Sequence, residues 1–258
     1  MIFHLLGLAH IETTRKNSSC AYTQKIIKLA EILKKYGHTV YFYGVEGSEV
    51  NCDRFIQVSS QNVLEETYGN YDRSINFFKH NPEDKAYRTF NKNAIDAINQ
   101  LKQKEDVLLC PLGNYQKQIS DETKVLTVEP GIGYSGVFSP YKVFESYAWM
   151  HHVYGLMGKD NGGWYDAVIP NYFDIKDYPY QDKKEDYLLY FGRIIGRKGV
   201  QLASEIAKAT GNKLYVVGQG SLENPNEGIH LSGEKHIVYK PAVGVEERAE
   251  IMGKAKAV

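Results

Sequence analysis

The residues best suited to chemistry lie in Tyr187-Leu-Leu-Tyr-Phe-Gly-Arg-Ile-Ile-Gly-Arg-Lys-Gly199. An apolar run delivers Gly192, where the absent side chain lets a ligand approach the backbone closely. Arg193 can grip two phosphate oxygens with its planar fork, and Lys198 adds a compact charge. Helical periodicity resumes at Val200, so free N–H groups and a positive dipole end would face the same anion. Together these groups form a diphosphate clamp at the C-terminal end of a strand, where open α/β sheets bind ligands. The same letters also fit solvated charges on an ordinary loop between strand and helix.

A second candidate is the loop over residues 7–19. Gly7 ends the first apolar run, His10, Thr13, Thr14, Arg15 and Lys16 follow, and a helix opens near Ser19. That helix start offers its N–H groups to a phosphate, although a bland surface loop reads equally well. Glu129-Pro-Gly-Ile-Gly-Tyr134 follows a strand and so falls at the ligand-binding edge of a sheet. His151 and His152 sit on a helix, where a histidine is usually packed or at the surface. Gly131-x-Gly133-x-x-Gly136 matches the dinucleotide fingerprint by letter, but Pro140 follows soon after and no acidic residue closes the next strand. No G-x-x-x-x-G-K-[ST], H-E-x-x-H or G-x-S-x-G is present, which leaves P-loop, zincin and serine-hydrolase readings unsupported.

These residues need a scaffold, and the pattern alternates strand and helix almost from end to end. Residues 2–6 read as a strand, and Tyr22, Ile26, Ala30 and Leu33 place a helix over residues 19–36, capped by Ser18 or Ser19 and stopped by Gly37. Residues 38–44 read as a strand, and Phe90, Ala94, Ile98 and Leu101 mark another helix. Residues 107–110, 124–128 and 167–169 read as strands, and residues 143–156 as a helix. The charge-rich, proline-containing stretch 174–186 marks a boundary between a domain at 1–178 and one at 179–258. Beyond it come strands at 187–191, 213–217 and 236–240, with helices at 200–210 and 245–256. Strand–helix–strand at this spacing implies parallel strands with right-handed crossovers, hence doubly wound α/β sheets. The second sheet has three strands where the chain stops, so it reads as incomplete, with its first strand at an open edge.

The 258 residues carry 31 basic and 31 acidic side chains, and a net charge of zero argues against nucleic-acid binding, which draws on a positive surface. Residues 179–258 hold 12 basic and 10 acidic side chains, a mild excess that permits an anionic ligand there. At 43% hydrophobic and 24% charged the composition is that of a globular protein and excludes disordered, coiled-coil and collagen-like classes. No apolar run is long enough for a membrane span, and residues 1–9 lack the basic start and cleavage site of a signal peptide. Cys20, Cys52 and Cys110 form no C-x-x-C pair, which speaks against a zinc site or disulfide framework and for a reducing, cytoplasmic setting.

The G-R-x-x-x-x-K-G block at 192–199, followed by a helix and then Leu214-Tyr-Val-Val-Gly-Gln-Gly220, resembles the retaining family 4 (group 1) glycosyltransferases. Val168-Ile-Pro-Asn-Tyr-Phe-Asp174 looks like their inter-domain segment, and Gly37-His-Thr-Val40 like the start of their second strand. Residues 243–258, with Glu246-Glu-Arg248 and Ala255-Lys-Ala257, resemble the helix before their donor-site strand. The resemblance spans nearly the whole chain and implies a GT-B-like fold of two doubly wound Rossmann-like domains, the second incomplete. It implies transfer of a hexose from a UDP- or GDP-linked sugar nucleotide to a glycan or other hydroxyl acceptor, with retention and without a metal or other cofactor. Arg193 and Lys198 would hold the diphosphate, with Gly192, Gly218, Gly220 and the backbone after Lys240 around the nucleotide. Gly7, His10, Ser19 and Tyr134 would line the acceptor side, with Glu129 where many relatives place a histidine and His151 near the sugar. The family's pair of glutamates seven residues apart has no counterpart before Val258. The chain then reads as a fragment of a longer enzyme, as half of a site completed by a partner chain, or as a non-catalytic module that binds a nucleotide or glycan or serves as one lobe of an assembly.

Overall fold

A computed structural model describes residues 1–258. The chain forms two compact units, each discontinuous in sequence. The first comprises Met1–Arg15, Ala21–Gly69 and Lys79–Tyr172; the second comprises Lys16–Cys20, Asn70–Phe78 and Phe173–Val258.

The first unit runs β1 (Ile2–Leu6), α1 (Ala21–Lys35), β2 (Thr39–Val45), β3 (Arg54–Ser59), α2 (Gln61–Tyr68), α3 (Lys85–Leu101), β4 (Val107–Leu109), α4 (Lys117–Thr123), β5 (Leu126–Ile132), β6 (Tyr141–Phe144), α5 (Tyr147–Leu156) and β7 (Asp166–Val168). Its seven strands are parallel in the order β3-β2-β1-β4-β5-β6-β7. The central strands are covered on both faces, as parallel sheets require. On one face Leu6, Tyr43, Val45 and Leu108 meet a stripe of α3, Tyr87, Phe90, Ala94 and Ile98, in one buried cluster. The Asp84 carboxylate starts α3 by accepting from Tyr87 N at 2.9 Å, which satisfies one of the helix's orphan donors. Toward the other face, Leu5, Val40 and Phe42 are fully buried, as are Ile26 and Ala30 of α1.

The second unit runs β8 (Tyr187–Phe191), α6 (Val200–Ala209), β9 (Lys213–Val217), a hairpin of β10 (Glu223–Asn224) and β11 (Ile229–His230), β12 (Ile237–Lys240) and α7 (Val245–Lys254). β12, β9 and β8 form a parallel sheet in that order. The period of two sorts its side chains: Leu214 and Val216 join Val200 and Ala207 on one face, while Leu189 and Val217 join Ile251 and Ala255 on the other. The unit is therefore doubly wound, with α6 and α7 on opposite faces. On the free side of β8, Lys256 N donates to Tyr187 O at 3.0 Å and Leu189 N to Ala257 O at 2.9 Å, so Ala257 makes an isolated parallel bridge to Leu188.

The strands and helices read from periodicity are present, with four differences. The helix expected over 143–156 divides into β6 and α5, because Val143 and Phe144 belong to a short apolar strand and Ser146 starts the helix by accepting from Trp149 N at 3.2 Å. A short apolar run fits either period, so spacing alone could not place that break. The strand expected at 124–128 runs on to Ile132 through a register shift at Pro130 and Gly131, where a proline costs no ladder bond. The Ser18 hydroxyl, one of the two expected caps of α1, donates to Val243 O. β3, α2, α4 and the β10–β11 hairpin carried no clear signal in the sequence.

One buried polar group ties the first sheet at its N-terminal end. His4 is fully buried, with Nδ1 2.7 Å from the Tyr43 hydroxyl and Nε2 2.9 Å from Asp106 Oδ2. Burial holds the imidazole below its ordinary pKa, and the hydrogen bond and charge of Asp106 offset that only in part. The folded chain thus keeps His4 neutral where the unfolded chain protonates it. Wild-type stability is undiminished by this group above pH about 6.5 and falls as the pH drops below it. His4→Gln removes that linkage, so the stability gap between wild type and variant should shrink below pH 6.5, by up to about 1.4 kcal/mol per pH unit. Urea titrations at pH 7.5, 6.5 and 5.5 measure it; a constant gap would show that His4 charges in the fold.

Candidate functional site

The donor-side residues expected from the sequence converge at the C-terminal edge of the second sheet. Gly192 N donates to Val217 O at 3.0 Å, Ile194 N to Gln219 O at 2.8 Å, and Gly218 N to Lys240 O at 3.1 Å. The loops after β8 and β9 are thus zipped together beyond the sheet. Their approach leaves no room for a side chain: a Cβ on Gly218 would stand 2.0 Å from Gly192 O, and its φ of +152° is one that residues with side chains rarely adopt. Gly220 is also tightly packed, with a Cβ position 2.8 Å from Ile194 O.

On this platform the chain 193–199 makes a single turn before α6. Arg193, Arg197 and Lys198 are exposed, and no acidic side chain pairs with any of the three. The first turn of α6 has no capping side chain; Gly199 leads into it in the left-handed conformation. Three unneutralised cations therefore stand beside a helix N-terminus with open N–H groups, at the strand end where an anion would dock. One donor of the turn is already used, since Gly196 N donates to Glu227 Oε2 at 2.8 Å. Lys240 contributes its carbonyl to the edge, while its ammonium lies 3.1 Å from Glu247 Oε1. Arg197 was not among the residues singled out by the sequence, although it sits inside the same motif.

The acceptor-side residues are more dispersed. In the first unit, Gly7 ends β1 with its N–H on Tyr43 O and its carbonyl accepting from Gln116 Nε2, each at 2.8 Å. His10 is buried with Nδ1 2.6 Å from the Tyr87 hydroxyl and its ring stacked on Tyr87. Glu129 is fully buried. Its Oε2 accepts from Phe138 N at 2.9 Å and Ser139 N at 2.8 Å, and its Oε1 from the Tyr134 hydroxyl at 3.3 Å. Burial pushes its carboxyl above the usual range, against the lowering pull of those bonds. It serves the connection from β5 to β6, which has no helix and whose inward-facing N–H groups need an acceptor. Gly131 lies within β5, and Gly133 and Gly136 in that connection, so these glycines open no helix and form no dinucleotide loop. His151 is exposed on α5, and Ser19 is half-buried before α1 in a segment of the second unit.

A cluster the sequence did not flag occupies the C-terminal edge of the first sheet. Glu145, just past β6, pairs with Lys25 of α1 and accepts from Asn171 Nδ2 at 3.2 Å, and Lys25 also donates to Gly131 O at 3.2 Å. Gly133 makes room for it, since a Cβ there would fall 2.4 Å from the Glu145 carboxylate. No three His, Cys, Asp or Glu side chains gather where they could hold a metal ion, and no helix is long and apolar enough to cross a membrane.

Solved structures resemble this chain along nearly all of its length. AviGT4, a glycosyltransferase involved in avilamycin A biosynthesis, superposes with a TM-score of 0.66 at 20% identity, covering 100% of this chain and 68% of that one. Sucrose-phosphate synthase from Thermosynechococcus elongatus gives 0.62 at 12% identity over 98% of this chain and 73% of that one. UDP-N-acetylglucosamine 2-epimerase from Rickettsia bellii gives 0.53 at 9% identity over 98% and 72%. No protein-family model matches the chain, and no curated protein matches it in sequence. At these identities the likeness defines the fold: an α/β chain of the GT-B-like class, with two doubly wound Rossmann-like units.

The Gly192–Gly218 contact makes a direct prediction. Gly218→Ala should force the loops apart and lower the urea midpoint well beyond Gly199→Ala. The latter puts a side chain at φ +76° with nothing within 4 Å and should cost about 1–2 kcal/mol. Equal midpoints for the two variants would mean the platform tolerates a methyl group.

Proposed function

We propose that the chain binds the diphosphate of a nucleotide sugar at the turn 193–199 and takes part in transferring its hexose to a hydroxyl acceptor, with retention at the anomeric carbon. The observation that carries this reading is the set of three exposed, unpaired cations beside the uncapped start of α6. Arg193 and Lys198 hold the phosphate oxygens; Gly192, whose missing Cβ would have only the Tyr190 hydroxyl within 4 Å, lets the nucleotide reach the backbone. As the bond from the anomeric carbon to the diphosphate oxygen breaks, its electron pair stays on that oxygen, the acceptor oxygen forms the new bond, and the acceptor's hydroxyl proton passes to the departing diphosphate. The clamp stabilises the charge that grows on the departing group, which is the largest lever such a site possesses. In this reading the cations are the protein's own and no metal is needed. The likeness to two glycosyl-transferring folds supports the reaction class. The donor is UDP- or GDP-linked and the setting cytoplasmic; a glycan or similar molecule supplies the acceptor hydroxyl. On the first unit, the edge bearing Gly7 and the Lys25–Glu145 pair is the place for the acceptor.

Calorimetry with UDP, GDP and ADP tests the clamp, beside an assay for release of sugar from the matching nucleotide sugar. Arg193→Ala and Lys198→Ala should each weaken nucleoside diphosphate binding about 10- to 100-fold, the worth of a charge-assisted hydrogen bond, without changing the melting temperature. Unchanged affinity in both variants would remove the mechanism. Binding without sugar release would favour a non-catalytic nucleotide-binding module.

A further inference from the structure

Asn70–Phe78 lies between α2 and α3 in sequence, yet it belongs to the second unit. Asp72 folds it into a turn. Asp72 Oδ1 accepts from Ser74 N at 2.8 Å and Ser74 Oγ at 2.6 Å, and its carbonyl accepts from Asn76 N at 3.0 Å and Asn76 Nδ2 at 2.9 Å. The turn presents its carbonyls to the C-terminal edge of the second sheet. Ile75 O accepts from Gly220 N and Ser74 O from Ala242 N, both at 2.8 Å. Gln219, 1% exposed, spends both amide hydrogens on the same segment, donating to Arg73 O at 2.7 Å and Asn76 O at 2.9 Å.

Gly220 stands three residues past the end of β9 and Ala242 two past the end of β12, so their N–H groups are donors with which this edge would meet a ligand. An internal segment already satisfies them with carbonyl oxygens. That segment is superficial: none of residues 70–78 is buried, and Asp72, Ile75, Asn76 and Phe77 are exposed. Segments with little buried surface and solvent-exposed hydrogen bonds open locally at low cost. We propose that residues 70–78 form a displaceable strap that competes with the nucleotide for this edge. Its carbonyls stand where acceptor atoms of the base or ribose bind once it lifts. The proposal rests on the donor-site reading above and adds that donor affinity is set partly by strap release, because a site open only part of the time binds with proportionally lower affinity.

The test uses the whole chain with UDP, GDP and ADP as probes. Two variants loosen the strap: Asp72→Ala, which removes the turn's acceptor at an exposed position, and replacement of residues 72–77 by a Gly-Ser segment of equal length. Both should bind the best of the three probes more tightly than wild type, by about tenfold if the strap is docked in about nine molecules of ten. Hydrogen exchange should show protected amides at Gly220 and Ala242 in the free wild type, and saturating nucleotide should speed exchange across residues 70–78. Equal or weaker binding in the variants, with exchange across 70–78 unmoved by nucleotide, makes the segment a fixed wall and overturns the strap while leaving the donor site standing. Absence of binding by wild type and both variants overturns the strap and the donor reading together.

Discussion

The donor-side edge depends on two peptide backbones running against each other without side chains between them. Gly192 and Gly218 follow neighbouring parallel strands, and the hydrogen bonds from Gly192 to Val217 and from Ile194 to Gln219 hold their loops together. That contact fixes where the turn 193–199 emerges, and so where Arg193, Arg197 and Lys198 stand. The cations themselves need no partner to hold them in place. Their backbone is positioned by the sheet, which lets the side chains remain exposed and unpaired.

The same edge shows why satisfied backbone groups matter to function. Strand ends leave N–H donors that must find acceptors, from the protein or from a ligand. In the first unit the short connection from β5 to β6 solves this by burying Glu129, whose carboxylate serves Phe138 and Ser139. The carboxylate that a strand-end motif offers as a reacting group is consumed in holding the loop. In the second unit Gly220 and Ala242 find carbonyls of residues 74 and 75 instead. The first arrangement is buried; the second is made by a segment at the surface.

Much of this architecture was legible in the sequence because it follows local rules. Hydrophobic period and punctuation sufficed for β1, α1, α3, β8, α6, β9, β12 and α7, and the cationic turn after β8 could be read letter by letter. Period failed where a segment was short enough to fit two templates, as at Val143 and Phe144, and where a strand passed through a proline, as at Pro130. The weakly patterned β3 and α2 form because a neighbouring strand and α3 cover them, a circumstance their own residues do not encode.

The sequence by itself determined the alternation of strands and helices, the doubly wound class and the presence of a basic, glycine-flanked turn, since each rests on neighbours a few residues apart. Only the tertiary structure decided what those residues face. Gln219 and the segment 70–78 are separated by some 140 residues of chain, and no spacing rule connects an amide in one loop to carbonyls in another. The burial of Glu129, the pairing of Lys25 with Glu145 and the occupation of the Gly220 and Ala242 donors all arise from such distant meetings. Hydrogen bonds and close packing depend on position in space, and position is fixed only when the whole chain has folded.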